Sequence, residues 1–591
     1  MSQHAEHNPF ELVTASKLSA QEAVSLWCDD KRLDRVNGRE NCFINGLRGT
    51  GKTMLFRILQ YDCQKLLNAN VSFLSVYIPV RDTELLTTEF DVFQDDALKF
   101  MLSESHLVLL LTKQLASVLA KHVEVVPENL RHALQKLVQD RVSMAFQFSA
   151  VETYNFKSST YQDFLEEFSS VLELELLRLF NSFIAQRFYD KASYQGPVFT
   201  FETLLGPIAD WILNNTGKTV YFLVDDADDL PESHTITLNT WVARRRSSVA
   251  FKVSTMYLYK TYETKGRSAI QHPHDFFLYE VATRHLKDEL ENYVELLRQI
   301  CESRLKLKGI DASAKSFFPR DLAQETRMKA LEAKLIEDYS KAYSDRAIRD
   351  NVYRHLTSEY KKSLLANRSS GTFVYAGFET LAELSSGLVR DFIICAQRMY
   401  DSQRRRIQPD STEQVTEIES SIQSDVVKKY ATELLLDISN ASQRRDRSAT
   451  PEEWRQVHKF IEALGSVFKD KMYSSDSERR VFSFAFQDEP DPDVSRVIDL
   501  AIAEGYLMKG FISRKEGTGR RNLYMLTRRL APAFDLDVSA YSGYLSMTSA
   551  RARSYMDKGP ERSENKGEPQ IQLSFFDSGD WPMIAIDEAG Y

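Results

Sequence analysis

The chain has 591 residues, 43% of them hydrophobic and 27% charged, with a net charge of −9. That length and apolar content suffice for about three or four domains. The negative balance excludes a polycation that coats nucleic acid, so any such contact has to come from a local patch. Cys28, Cys42, Cys63, Cys301 and Cys395 are scattered without a CxxC or Cys/His cluster, which argues against a disulfide framework or structural zinc and for a reducing cytoplasm. The longest apolar run near Leu107–Leu111 is far short of the roughly 18 residues that span a bilayer, so no membrane partner is expected.

In chain order, the first strong signal is a short apolar strand at Cys42–Ile44 leading into Gly46-Leu-Arg-Gly-Thr-Gly-Lys-Thr53, followed by helical periodicity at Met54, Leu55, Ile58 and Leu59. Strand, glycine-rich loop and helix in that order predict a phosphate cradle, with backbone N–H groups and the positive end of the helix converging on one point. Gly46, Arg48, Gly49, Thr50, Gly51, Lys52, Thr53 and Met54 are therefore expected to hold ATP. Lys52 reaches the β- and γ-phosphates, and Thr53 offers its hydroxyl to Mg²⁺.

A second strand is predicted at Phe73–Ile78, and about 81–199 reads as an inserted helical subdomain from the periodicity of Leu107–Ala120 and Phe164–Phe183. The apolar run from Thr219 to Val224 ends in Asp225 and Asp226, the pattern of a buried parallel strand with carboxylates at its tip. Asp225 is placed to hold Mg²⁺ and Asp226 to polarise the attacking water. A helix over Ile236–Arg246 follows, then strands at Val249–Tyr257 and Phe276–Val281, with Ser254 and Thr255 near the tip of the first. Alternating strands and helices after a phosphate loop imply an α/β fold with a parallel sheet covered on both faces.

Residues 1–285 thus read as a P-loop ATPase core and 286–445 as a helical lid, with helices at His285–Leu307, Ala323–Arg349 and Glu379–Arg404 and a solvated loop at Ser402–Glu419. Residues 446–540 read as a winged helix: helices at Pro451–Ser466 and Asp493–Glu504, then a hairpin of Tyr506–Ser513 and Asn522–Leu526. Seven Lys/Arg against Glu516 lie between Lys509 and Arg529, a local charge of +6. Arg514, Lys515, Arg520 and Arg521 are the expected contacts to nucleic-acid phosphates. Residues 536–570 read as a flexible connector, and 541–591 as linker and tail with apolar ends at Ile571–Phe576 and Trp581–Ile586.

The phosphate loop, the Val224-Asp-Asp226 strand end, the polar tip at Ser254 and Thr255, and Ser386-Gly-Leu-Val-Arg390-Asp-Phe-Ile393 together resemble the AAA+ ATPases of the origin-recognition (initiator) type. The last segment looks like that family's lid-helix motif, and the resemblance implies that Arg390 reaches back to the γ-phosphate. It also implies that an arginine of Arg244-Arg-Arg246, with Arg245 at its centre, acts on a neighbouring subunit's nucleotide, which requires a homo-oligomer. Where the family carries glutamate after the Mg²⁺-binding aspartate, this chain carries Asp226, as signalling relatives do. Two functions follow: an ATPase whose nucleotide state controls assembly and DNA binding, or a signalling NTPase that passes a sensed ligand to an effector protein, as in bacterial antiviral defence.

Overall fold

In the computed structural model, residues 8–11, 14–68, 70–82, 95–152, 154–189, 194–256, 259–281, 287–340, 345–366, 372–407, 414–441, 449–474, 481–513, 520–538, 543–560 and 571–572 are described. The chain divides into two compact units, Val13–Ala282 and Met1–Leu12 with Thr283–Tyr591.

The first unit begins with α1 (Ala20–Leu26) and α2 (Asp30–Val36), each opened by an acceptor side chain, Ser19 in a capping box with Glu22 and Asp29 bonded to the Arg32 amide. Then come β1 (Cys42–Asn45), α3 (Lys52–Leu59), α4 (Tyr61–Leu67) and β2 (Phe73–Pro79). The helices α5 (Asp96–Lys121), α6 (Glu128–Gln147), α7 (Tyr161–Tyr189) and α8 (Gly206–Thr216) lead to β3 (Thr219–Asp225), α9 (Glu232–Ala243), β4 (Val249–Thr255) and β5 (Phe277–Glu280).

All five predicted strands form, and they pair in parallel in the order β2-β3-β4-β1-β5. Their registers bring Pro79 beside Asp225, and Asn45 between Thr255 and Glu280, so the carboxyl ends of the strands share one edge. In open parallel sheets that edge is where ligands bind. β3 and β4 are buried along their whole length, which is why they read as unbroken apolar runs.

The helical insertion is not a separate subdomain. Leu102, Leu107–Leu111 and Leu115 of α5, Val138 of α6 and Phe164 and Leu172 of α7 belong to the same continuous apolar core as the sheet. α5 is also fixed to α9 by polar contacts: His106 Nδ1 lies 2.9 Å from His234 Nε2, and Ser103 donates to Ser233 at 3.2 Å. Burial pushes His106 down to about 4, so the pair is held uncharged at neutral pH.

The second unit starts with Phe10, fully buried against Phe317 and Phe318. Its helices are α10 (Lys287–Leu307), α11 (Ala314–Phe317), α12 (Leu322–Ser340), α13 (Asp345–Ala366), α14 (Phe378–Leu384), α15 (Val389–Arg406) and α16 (Ser420–Ala441). The helix expected over Ala323–Arg349 is two, α12 and α13, and Tyr339 of one is 2.8 Å from His355 Nδ1 of the other. The helix expected over Glu379–Arg404 is likewise broken, because Ser386 and Gly387 have φ of 51° and 78° and turn the chain between α14 and α15. α15 also continues to Arg406, past the predicted start of the loop at Ser402.

The remainder is α17 (Pro451–Tyr473), β6 (Val481–Phe486), α18 (Pro492–Ala503), β7 (Leu507–Ser513), β8 (Arg520–Leu526), β9 (Gly543–Met547), α19 (Ser549–Lys558) and β10 (Ile571–Gln572). The predicted hairpin exists as the antiparallel pair β7 and β8, but it is the margin of a five-stranded sheet ordered β10-β9-β6-β8-β7. Residues 536–570 are not a connector throughout: β9 pairs in parallel with β6, and α19 buries Ala552, Tyr555 and Met556 in the core shared with α17. Of the apolar ends of the tail, Ile571 and Gln572 pair with β9, and the rest lies outside the described residues.

Candidate functional site

The phosphate loop closes between β1 and α3. Gly49 and Gly51 have φ of 94° and 97°, a left-handed conformation that side-chain-bearing residues resist, and Gly51 stands at the start of α3. No side chain caps α3, so its first N–H groups are left for a ligand at the helix's positive end. Lys52, the first helical residue, is buried, and its Nζ donates to the carbonyls of Gly46 and Leu47 inside the loop. Thr50 is buried with its hydroxyl on Leu47 O at 2.9 Å, while Thr53 and Met54 are half-buried on the first turn. Arg32 of α2 braces the loop from outside by donating to Thr50 O at 3.0 Å. Uncapped helix amides beside a buried lysine fit a polyphosphate.

At the tip of β3, Asp225 is buried and tightly oriented. Tyr77 of β2 donates to its Oδ2 at 2.9 Å, and its Oδ1 accepts from Ser254 and from the Asp226 amide, the latter at 3.2 Å. Ser254 also accepts from the Asp226 amide at 2.9 Å. Ser254 is fully buried, with its hydroxyl engaged by Asp225 and by the Asp226 amide. Thr255 is buried too, 3.5 Å from Asn45 Oδ1.

Asp226 has a φ of 57° and a partly exposed carboxylate. Burial and the adjacent Asp225 charge push its carboxyl up, while Arg81 and Lys52 pull it back. Asp228, a third acid of the same turn, is pushed up to about 6 by burial, against the hydrogen bond that its Oδ2 accepts from the Met256 amide. That bond ties the turn to the residue just past the β4 tip. Asp229 closes the group, bonded to Arg81 and 3.9 Å from Arg48.

Arg244, Arg245 and Arg246 lie at the other end of the sheet, where Arg246 O receives the Val249 amide at the start of β4. Each has an acid partner within its own unit: Arg244 pairs with Glu202 at 2.8 Å, Arg245 with Asp275 at 3.4 Å, and Arg246 with Asp210 at 2.8 Å and with Glu202. The arginines therefore cannot serve the phosphate loop of their own unit. Arg390 is the second residue of α15, exposed on the second unit.

In the hairpin, the ladder runs from Leu507 opposite Leu526 to Ser513 opposite Arg520, so Arg520 and Arg521 lie at the end where the chain connects the two strands. Arg521 is half-buried, Lys509 is exposed, and Arg514 and Lys515 fall outside the described residues. Arg528 and Arg529, counted in the basic run, are buried and cannot meet phosphates. Arg529 Nη1 donates to Asp391 of α15 at 2.8 Å, its Nη2 donates to Gly505 O, and its Nε lies 3.2 Å from Thr527 Oγ1.

A parallel sheet with a phosphate loop after its first strand and paired acids after its third defines a P-loop NTPase of the AAA+ class. The chain belongs to the ORC-CDC6-like family, whose profile matches residues 8–348 and 325–547. No curated protein matches it at a significant level. Among solved structures it is similar to the Aeropyrum pernix ORC1 protein in complex with DNA, over 89% of this chain and 95% of that one, at 11% identity and a TM-score of 0.27. No helix among the described residues is long and apolar enough to cross a membrane.

Proposed function

We propose that this chain is an ATP-binding and ATP-hydrolysing switch whose nucleotide state governs self-assembly and DNA binding. The observation that carries the reading is the juxtaposition of the uncapped α3 terminus, buried Lys52 and the oriented Asp225–Asp226 pair on one sheet edge. Mg²⁺, held by Thr53 and Asp225, would supply charge neutralisation across the β- and γ-phosphates. Lys52 exchanges its loop carbonyls for phosphate oxygens, Tyr77 and Ser254 keep Asp225 in place, and Asp226 orients water. Asp226→Asn should retain ATP but lose hydrolysis by roughly two orders of magnitude or more, whereas Asp225→Asn should also weaken Mg²⁺-dependent binding. Equal, mild effects of both in binding and turnover assays would show that the roles are misassigned.

The DNA contact rests on family membership and on the connected end of the basic hairpin, with Arg520 and Arg521 at the start of β8 and Arg514 and Lys515 shortly before them in sequence. The winged-helix reading of 446–540 has support in the helix, strand, helix and hairpin order of α17, β6, α18, β7 and β8. Replacing Arg520 and Arg521 by Ala should weaken DNA binding and flatten the slope of log K against log salt by roughly two units. Wild-type protein without salt-sensitive DNA binding would favour the second reading, a signalling NTPase acting on an effector protein. Asp226 in place of glutamate and an insertion packed into the ATPase core are consistent with it.

A further inference from the structure

Two guanidinium groups converge on one carboxylate at the mouth of the phosphate site. Arg48 comes from the loop, and Arg81 follows directly on β2, whose last residue, Pro79, is paired with Asp225. Asp229 Oδ2 accepts from Arg81 Nε and stands 3.9 Å from Arg48 Nη2. Arg81 Nε is also 3.6 Å from Asp226 Oδ2. Both arginine side chains are substantially exposed, 48% for Arg48 and 41% for Arg81, and Asp229 is 29% exposed. Ion pairs so open to water are weakly held, and their side chains can re-aim at little cost.

A phosphoryl group offers what Asp229 offers to the guanidinium fork, oxygen acceptors and negative charge, with more of both. We propose that Arg81, together with Arg48, recognises the γ-phosphoryl group of a bound nucleoside triphosphate from within the same chain, and that Asp229 parks both guanidiniums when that group is absent. The proposal rests on the phosphate-loop reading above and adds to it the residue that tells triphosphate from diphosphate. It also gives the exchange a second effect. An Arg81 that turns to phosphate leaves the carboxylate of Asp226, which then has an open oxygen for water. Asp229 becomes the competitor whose removal favours the triphosphate-bound arrangement.

The test is equilibrium binding of Mg²⁺-ADP and of a Mg²⁺-bound non-hydrolysable ATP analogue to the full chain, by calorimetry. Arg81→Ala should weaken the triphosphate analogue about 10-fold or more, as expected for loss of a charge-assisted contact, and change ADP affinity less than about two-fold. Arg81→Lys should recover part of the loss, and Asp229→Asn should leave the analogue's affinity equal to wild type or tighter. Thermal midpoints of the variants should match wild type, since the pairs are exposed. Equal weakening of both nucleotides by Arg81→Ala, or of neither, would overturn the proposal while leaving the phosphate loop standing. A wild-type chain that binds neither nucleotide would instead remove the phosphate-loop reading and this proposal with it.

Discussion

Lys52→Ala is expected to abolish nucleotide binding, or turnover where residual binding survives, without unfolding the chain. Lys52 is the loop's buried cation, and in the structure its ammonium donates to the carbonyls of Gly46 and Leu47. A carbonyl is a weaker partner for an ammonium than a charged β- or γ-phosphate oxygen, so the lysine is expected to contribute most in the bound state. Alanine is also a good first-turn residue, so α3 should persist. Unchanged affinity and turnover, measured beside an unchanged circular-dichroism spectrum, would sink the assignment. The same variant examines assembly. A Lys52→Ala subunit still carries Arg245, so mixing it with Arg245→Ala subunits should restore some hydrolysis if that arginine serves a neighbour, a contribution on the order of 10³ or more in rate. Mixing it with Arg390→Ala should restore none, since the loop and the lid arginine are expected to work in cis. Rescue of both mixtures alike would refute the division.

The second large effect is on stability. Arg529 and Asp391 have side chains only 8% and 10% exposed, and their surroundings include Leu381, Leu384, Phe392, Cys395, Met399 and Pro532. Truncating one partner of a buried pair leaves the other charged in an apolar setting, at a cost of about 3–5 kcal/mol. Arg529→Ala should therefore lower the melting transition of the Thr283–Tyr591 unit by several degrees or prevent its folding. Replacing both partners, as in Arg529→Met with Asp391→Leu, should recover most of that loss, because the desolvation penalty disappears with the charges. A single variant that melts like wild type would mean that water reaches the pair. This bond also fixes the neighbour of Arg390 to the exit of the β7–β8 hairpin within one unit.

The first unit was readable from sequence because its central strands β3 and β4 are buried on both faces. Thr219–Val224 and Val249–Val253 contain almost nothing that prefers water, and the loop and acid motifs are contiguous in the chain. What could not be read were contacts set by strand register. Tyr77 meets Asp225 only because β2 lies beside β3, and Arg32 and Arg81 reach the site from segments with no motif of their own. In the second unit the break between α12 and α13 carries neither glycine nor proline, so periodicity runs through it. β6 is six residues, all apolar but Ser483, a length at which a buried strand and a buried helical turn look alike. Arg528 and Arg529 were misread for a simple reason: charge ordinarily marks surface, and only their tertiary partners reveal otherwise.

The left-handed backbone at Asp226 bears on the choice of amino acid there. Aspartate and asparagine enter that region far more readily than longer side chains, since their short polar groups can bond locally to the backbone. A glutamate at 226 would meet resistance from the main chain before its extra methylene could bring the carboxylate nearer to substrate. The shorter acid is thus the residue that this turn selects. Placing at 226 the glutamate that the resemblance leads one to expect would require reshaping the turn itself.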